Sequence, residues 1–347
     1  MNCCIECFYD TEIRAIINSV NQIGNCDFCS SESVLVYDID IPNPIADLLM
    51  SLIDTYTLSD TAKAKPLSVA LSNDWDVFRL DVDSIFALTQ RIYANNEDSD
   101  NPLLKENVEV MASYFHVDHA VVRGNSWRDF SHTIKNRNRF HNDLFNTGAF
   151  HIILRSISKS YPIGTVFYRA RVSPNENGHT KDDMGAPPKD ICRAGRINPE
   201  GIPVLYVASD RSTTVHEIRA AAFDFVTICE LRLARDIEVV NLSRIADISP
   251  FLFQGDLAKY AINREVFKEI AFELNKPQRA SDSPLEYLPT QFIAEFIKSK
   301  GYDGVEYAST HKSDGFNLAV FDESHFDRIC VQTIRVSEIS YKTQPGI

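Results

Sequence analysis

The chain has 347 residues, 44% of them hydrophobic, enough to bury the cores of two domains. Its formal net charge of −13 argues against a general nucleic-acid binder, which needs a basic face to neutralise phosphates, but leaves room for a basic pocket holding one small anion. No apolar run approaches the roughly 18 residues of a membrane span. The start, MNCCIECFYD, also lacks the regions of a signal peptide, so a cytoplasmic protein with no membrane partner is expected.

Residues 1–33 form a cysteine-rich head. Cys4 and Cys7 make one CxxC pair and Cys26 and Cys29 a second, with eighteen residues between them. Two such turns can place four thiolates around one tetrahedral Zn²⁺, and a closed Cys₄ site is structural rather than catalytic. Cys3 is a spare thiol that could replace Cys4. Cys229 and Cys330, in apolar strand-like runs, are expected as small buried side chains.

Residues 34–160 read as a small helical domain. Asn43-Pro44 is a good start signal, followed by Ile45, Leu48, Leu49, Leu52, Ile53 and Tyr56 on one face. A second helix is expected after Asp83, with Ile85, Leu88 and Ile92 in phase. NSWRDFSHTIKNRNRF opens a third, with Trp127, Phe130 and Ile134 inward, and FHIILRSISKS is a fourth. The HxxH of His116 and His119 reads as surface or capping residues rather than a metal site. The same holds for His132 and His141.

From residue 161 to 347 the period changes. TVFYRARV alternates, with Tyr168 and Ala170 on one face and Phe167, Arg169 and Arg171 on the other. Two arginines on a core-type strand offer guanidinium forks for phosphate or carboxylate. A polar connection of about 30 residues follows, long enough to suggest a lid or binding loop. GRINPEGIPVLYVASDRSTTVHEIRA then reads as turn, buried strand and helix. Glu217 falls about one turn into that helix, with Ala220 and Ala221 leaving room beside it. FVTICELRL and DIEVVNL are further strands. DLAKYAINREVFKEIAFELN is a helix, and QFIAEFIKSK another, capped by Thr290 and ended by Gly301. GVEYAS, FNLAVFD and CVQTIRVSEISY supply the last strands. The fold class is therefore α+β, a helical N-terminal domain followed by a mixed β-sheet domain.

FYRARV, GRINPEGIPVLYVASDRSTTVHEIR, GYDGVEYAST and NLAVFD, in that order, resemble the RES domain, named for its Arg, Glu and Ser. The W..F...IK...RF pattern further upstream resembles the helical segment that precedes some RES domains. The resemblance implies a fold like that of ADP-ribosyltransferases and breakdown of NAD⁺ as substrate, often by a bacterial toxin or defence effector. Carried onto this sequence, the family Arg is Arg169, the Glu is Glu217 and the Ser is Ser309, as catalytic candidates. Tyr206, Arg171, Arg196 and Gln291 are the candidates for binding NAD⁺. Shorter members pair with a separate antitoxin. This chain carries its own zinc and helical head, which leaves an antitoxin or regulatory partner, and a homo-oligomer, open.

Cleavage of the nicotinamide–ribose bond builds positive charge on the sugar, which a carboxylate can stabilise. Glu217 suits that role and the arginines suit the pyrophosphate. No GxGxxG loop marks a reusable dinucleotide cofactor, so NAD⁺ would be consumed by hydrolysis or phosphorolysis. The competing readings are transfer of ADP-ribose to a macromolecule and a zinc-containing adaptor that binds a nucleotide without catalysis. The second would gain if Arg169, Glu217 and Ser309 stood far apart.

Overall fold

In the computed structural model, every residue is described except 41–43, 97, 112–118, 124–125, 254–256, 277–282, 310–314 and 340–347. The chain divides into two units, Met1–Gly124 with Asp247–Glu265 and Asn125–Ala246 with Val266–Ile347. His116 and Asn43 lie outside the described residues.

The first unit opens with β1 (Asn2–Cys4), α1 (Thr11–Val20), β2 (Gln22–Gly24) and β3 (Val34–Asp38), the strands pairing in the order β1-β3-β2. Asp10 caps α1 by accepting from the backbone N–H groups of Glu12 and Ile13. Next come α2 (Pro44–Ile53), β4 (Tyr56–Leu58), β5 (Lys65–Pro66), α3 (Leu67–Asp74), α4 (Val82–Asn95) and β6 (Asn107–Val110). The apolar stripe expected on α2 is buried through Ile45, Leu49, Leu52 and Ile53, but the helix ends there and Tyr56, expected on the same face, opens β4 instead. The sheet β4-β6-β5 was not expected, because strands of two to four residues are too short to show a period in sequence. Helix α4 begins before Asp83, since Asp81 takes the capping position and accepts from the Ser84 N–H.

The second unit begins with α5 (Trp127–Asn136) and α6 (Thr147–Ser156). A reciprocal Ser126–Asp129 capping box starts α5. Its strands are β7 (Ser158–Tyr161), β8 (Val166–Ser173), β9 (Leu205–Ala208), β10 (Phe225–Leu233) and β11 (Ile237–Asn241), with α7 (Arg211–Glu217) between β9 and β10. Helix α8 (Leu257–Asn275), which belongs to this unit from Val266 on, helix α9 (Leu288–Ser299) and strands β12 (Gly304–Ala308), β13 (Phe316–Val320) and β14 (Phe326–Arg335) complete the described chain. Eight strands form one mixed sheet in the order β14-β10-β8-β9-β13-β12-β11-β7, with β11 and β12 parallel.

The alternation of β8 divides as the sequence implies. Phe167 joins Leu205, Val207, Leu231 and Leu318 in the core on one face, while Tyr168 and Ala170 pack with Val226, Ile228 and Val215 on the other. Three local readings are corrected. Cys330 is exposed rather than buried, because β14 is the edge strand of the sheet. Thr290 caps nothing: α9 starts two residues earlier with Pro289 in its first turn, and the Thr290 hydroxyl donates to the Arg196 and Tyr287 carbonyls. Helix α7 is only seven residues long, so Glu217 is its last residue and Ala220 and Ala221 do not share its face.

The long connection after β8 is packed against the sheet. Met184 and Cys192 are buried within it, and Gly178 lies against the hydroxyls of Thr333 and Thr227 where a Cβ would not fit. The His179 N–H donates to Thr227 Oγ1 at 2.9 Å and the Ala186 N–H to Glu323 Oε2 at 2.9 Å. These anchors carry the chain to Gly195 and Arg196.

Candidate active site

Strands β8 and β9 meet at a single register pair among the described residues, Tyr168 opposite Ala208. Where the ladder stops, Arg169 to Val172 and Tyr206 to Ala208 line a cleft of about 540 Å³, together with Arg196, Glu217, Arg219, Tyr287, Tyr307 and Asn317. Four arginines thus face one carboxylate, in a chain whose overall charge is strongly negative. A local positive potential of this kind selects an anionic ligand.

Arg169 follows the single pair that β8 makes with β9, and on its other side lies opposite Cys229 of β10. Its Nη1 donates to the Tyr206 carbonyl at 2.8 Å, while its Nε is buried with no partner among the described residues. Burial, joined by the charge of Arg171, pulls its pKa down to about 10, so it remains a cation at neutral pH. A buried cation with an unused donor fits a site completed by an anionic group. Arg171 donates to the Asp183 carbonyl, which ties its side chain to the long connection.

Glu217 reaches the same cleft from the end of α7. Its Oε1 accepts from Asn317 Nδ2 at 2.8 Å and from Ser309 Oγ at 3.2 Å. Asp210 starts the helix by accepting from the Thr213 N–H. The chain leaves it through Arg219, whose φ of 51° is left-handed backbone that glycine usually supplies. Strain of this kind beside a cleft carboxylate is consistent with a functional position.

The structure therefore brings Arg169 and Glu217 to one cleft and hydrogen-bonds Ser309 to Glu217. The remaining candidates serve the frame as well as the cleft. Tyr206 has its hydroxyl committed, donating to Asn198 Oδ1 at 2.7 Å and accepting from the Ile197 N–H at 3.2 Å, and burial raises its pKa. Arg196 lines the cleft while its Nη2 donates to the Lys276 carbonyl at 2.9 Å. Gln291 is buried, and its Nε2 donates to the Gly195 and Asn198 carbonyls at 2.8 and 2.9 Å. Its amide holds the loop that presents Arg196.

Sequence reasoning missed Asn317, Tyr307 and Tyr287. Asn317 carried one available signal, a polar side chain inside the apolar run FNLAVF. Tyr307 left no such trace. It is buried, and burial lifts its pKa well above the usual tyrosine value.

In the first unit, the Sγ atoms of Cys4, Cys7, Cys26 and Cys29 all lie within 4.8 Å of one another. The separations are 3.7 Å for Cys4–Cys7, 3.3 Å for Cys4–Cys29 and 3.4 Å for Cys7–Cys26. A tetrahedral ion with Zn–S bonds of about 2.3 Å holds its sulfurs about 3.8 Å apart, so the cluster fits a metal. The Cys26 sulfur also accepts the backbone N–H groups of Phe28 and Cys29, both at 3.4 Å. The neighbouring Cys7 thiol, helped by these groups, lowers the Cys26 pKa to about 5, while the same bond to Cys26 raises that of Cys7 and burial raises that of Cys4. Cys3 is buried outside the cluster, and burial pushes its thiol up to about 12.

A family model described as RES domain matches residues 166–343, just over half of the chain. That segment contains every strand that lines the cleft. No curated protein matches the chain. Among the described residues, no helix is long and apolar enough to cross a membrane.

Proposed function

The chain belongs to the RES domain family, and on that footing we propose that its cleft binds NAD⁺ and breaks the nicotinamide–ribose bond, passing ADP-ribose to water or phosphate. The observation that carries the reading is Glu217. It is the one carboxylate on the cleft wall among the described residues, and four arginines share that wall.

As the C1′–N bond breaks, its electron pair goes to the nicotinamide nitrogen, which becomes neutral, and positive charge grows on the ribose. The fixed negative charge of Glu217 is stronger against that growing charge than against the ground state, so it lowers the barrier. Water or phosphate then bonds to C1′, and an attacking water gives up one proton to solvent. Arg169, Arg171 and Arg196 hold the pyrophosphate. Tyr206 forms part of the wall beside the base. In the head, Cys4, Cys7, Cys26 and Cys29 hold a structural zinc that takes no part in the chemistry. A toxin or defence role in the cytoplasm follows from depletion of NAD⁺.

The test is product analysis. Purified protein is incubated with NAD⁺ in phosphate-free and phosphate buffers and the products are separated. Nicotinamide with free ADP-ribose in both buffers identifies hydrolysis. Nicotinamide only with phosphate, accompanied by ADP-ribose 1″-phosphate, identifies phosphorolysis. ADP-ribose attached to added protein or nucleic acid would replace both by transfer, and undiminished NAD⁺ in every arm would overturn the reading.

A further inference from the structure

Glu217 is held asymmetrically. Both of its hydrogen bonds from described residues end on Oε1, and none reaches Oε2. The stronger donor by distance is Asn317, at 2.8 Å against 3.2 Å for Ser309. Asn317 lies on β13, opposite Tyr307 on one neighbour and Ala208 on the other, and is 4% exposed. Asparagine is disfavoured in strands and rarely buried there without a partner. Its amide meets that requirement by donating to the carboxylate.

We propose, resting on the reading of the cleft given above, that Asn317 is a positioning residue. It pins Oε1 of Glu217 and thereby leaves Oε2 as the oxygen that meets the substrate. The choice of an amide has a chemical reason. Lysine or arginine at this place would neutralise the carboxylate that the growing ribose cation needs. An amide donor orients the carboxylate and leaves its charge intact. It also offsets the carbonyls of the last helical turn, which point toward a negative group at a helix C-terminus and disfavour it. Ser309 is the second pin on the same oxygen, so both residues act through Glu217.

Two substitutions and one spectrum test this. Asn317→Ala removes the donor. Asn317→Asp keeps the shape but sets a second carboxylate against the first, so the pair competes for one proton. Losing a hydrogen bond to a charged group corresponds to about a ten- to hundredfold fall in kcat, with KM for NAD⁺ within about threefold of wild type. In Asn317→Asp the acid limb of the kcat–pH profile moves to higher pH, because a second carboxylate disfavours two adjacent negative charges. Unchanged kcat and an unchanged acid limb in variants that melt as wild type does would overturn the proposal. The side-chain amide protons of Asn317, assigned by their absence from the NMR spectrum of Asn317→Asp, give a readout that needs no turnover. They are expected to shift in Glu217→Ala, and if they stay in place the pairing is refuted. Should the wild-type protein leave NAD⁺ intact, the reaction assigned to the cleft fails, while this spectrum still decides the Asn317–Glu217 pair.

Discussion

Arg169 and Gln291 illustrate how single side chains divide between ligand and frame. Arg169 has one guanidinium N–H on the Tyr206 carbonyl and a buried Nε without a partner among the described residues. Arg169→Lys keeps the charge but loses the fork, so the KM for NAD⁺ should rise at least about tenfold in initial-rate measurements. Gln291→Ala leaves two loop carbonyls without their donor. An expected loss of about 1–3 kcal/mol in denaturant unfolding follows from such unsatisfied buried groups. Arg169, Glu217 and Ser309 were legible because each sits in a short motif and the motifs occur in order along the chain. Asn317 was missed although it is the polar side chain of the apolar run FNLAVF, because its partner Glu217 is 100 residues away in the chain. Gln291 was visible, but sequence could not tell an amide facing a ligand from one spent on the backbone nearby.

Among the elements, the cleft depends on what β8 and β9 fail to do. A fully paired ladder would close the gap that Arg169 occupies. Pairing stops after Tyr168 and Ala208, and the sheet continues through β13 instead. Sequence could predict β8 from its alternation and β9 from its apolar run but not this interruption, since register between strands is a long-range property. The connection from β8 to β9 was expected as a lid or binding loop. It is anchored by Met184 and Cys192, and its last turn sets Arg196 on the cleft wall. Gly195 is the tightest point of that turn, where a Cβ would lie 2.5 Å from Asn198 Oδ1 and 2.9 Å from Tyr206 Oη. Gly195→Ala is therefore expected to displace the turn, lowering both the melting temperature and the affinity for NAD⁺ in calorimetry. Wild-type values for both would show that the Tyr206–Asn198 bond does not set this wall. Helix α7 was read too long because RSTTVHEIRA carries no glycine or proline stop. The left-handed turn falls on Arg219, a residue that gives no such signal.

For the molecule as a whole, the fold class was legible from the change of period near residue 161, and the cysteine spacing anticipated the four-sulfur cluster of the head. The sheet β4-β6-β5 of the first unit escaped because strands of two to four residues are too short to carry a pattern. The Cys₄ cluster joins both ends of the head, so a structural ion there should dominate its stability. Metal analysis is expected to find about one zinc per chain. Chelation should lower the melting temperature of the head, and Cys26→Ser should do the same without added chelator. No metal and no response to chelation would reduce the cluster to four packed thiols.

The central claim is that Glu217, held in a cleft lined with arginines, stabilises the ribose cation of NAD⁺. It is tested most directly by following nicotinamide release from NAD⁺ with the wild-type chain and Glu217→Gln side by side, after confirming equal folding. The account predicts that wild type consumes NAD⁺ and that the variant is at least about a hundredfold slower, since the amide keeps the shape but removes the charge. NAD⁺ untouched by wild type, or equal rates for the two proteins, would contradict it.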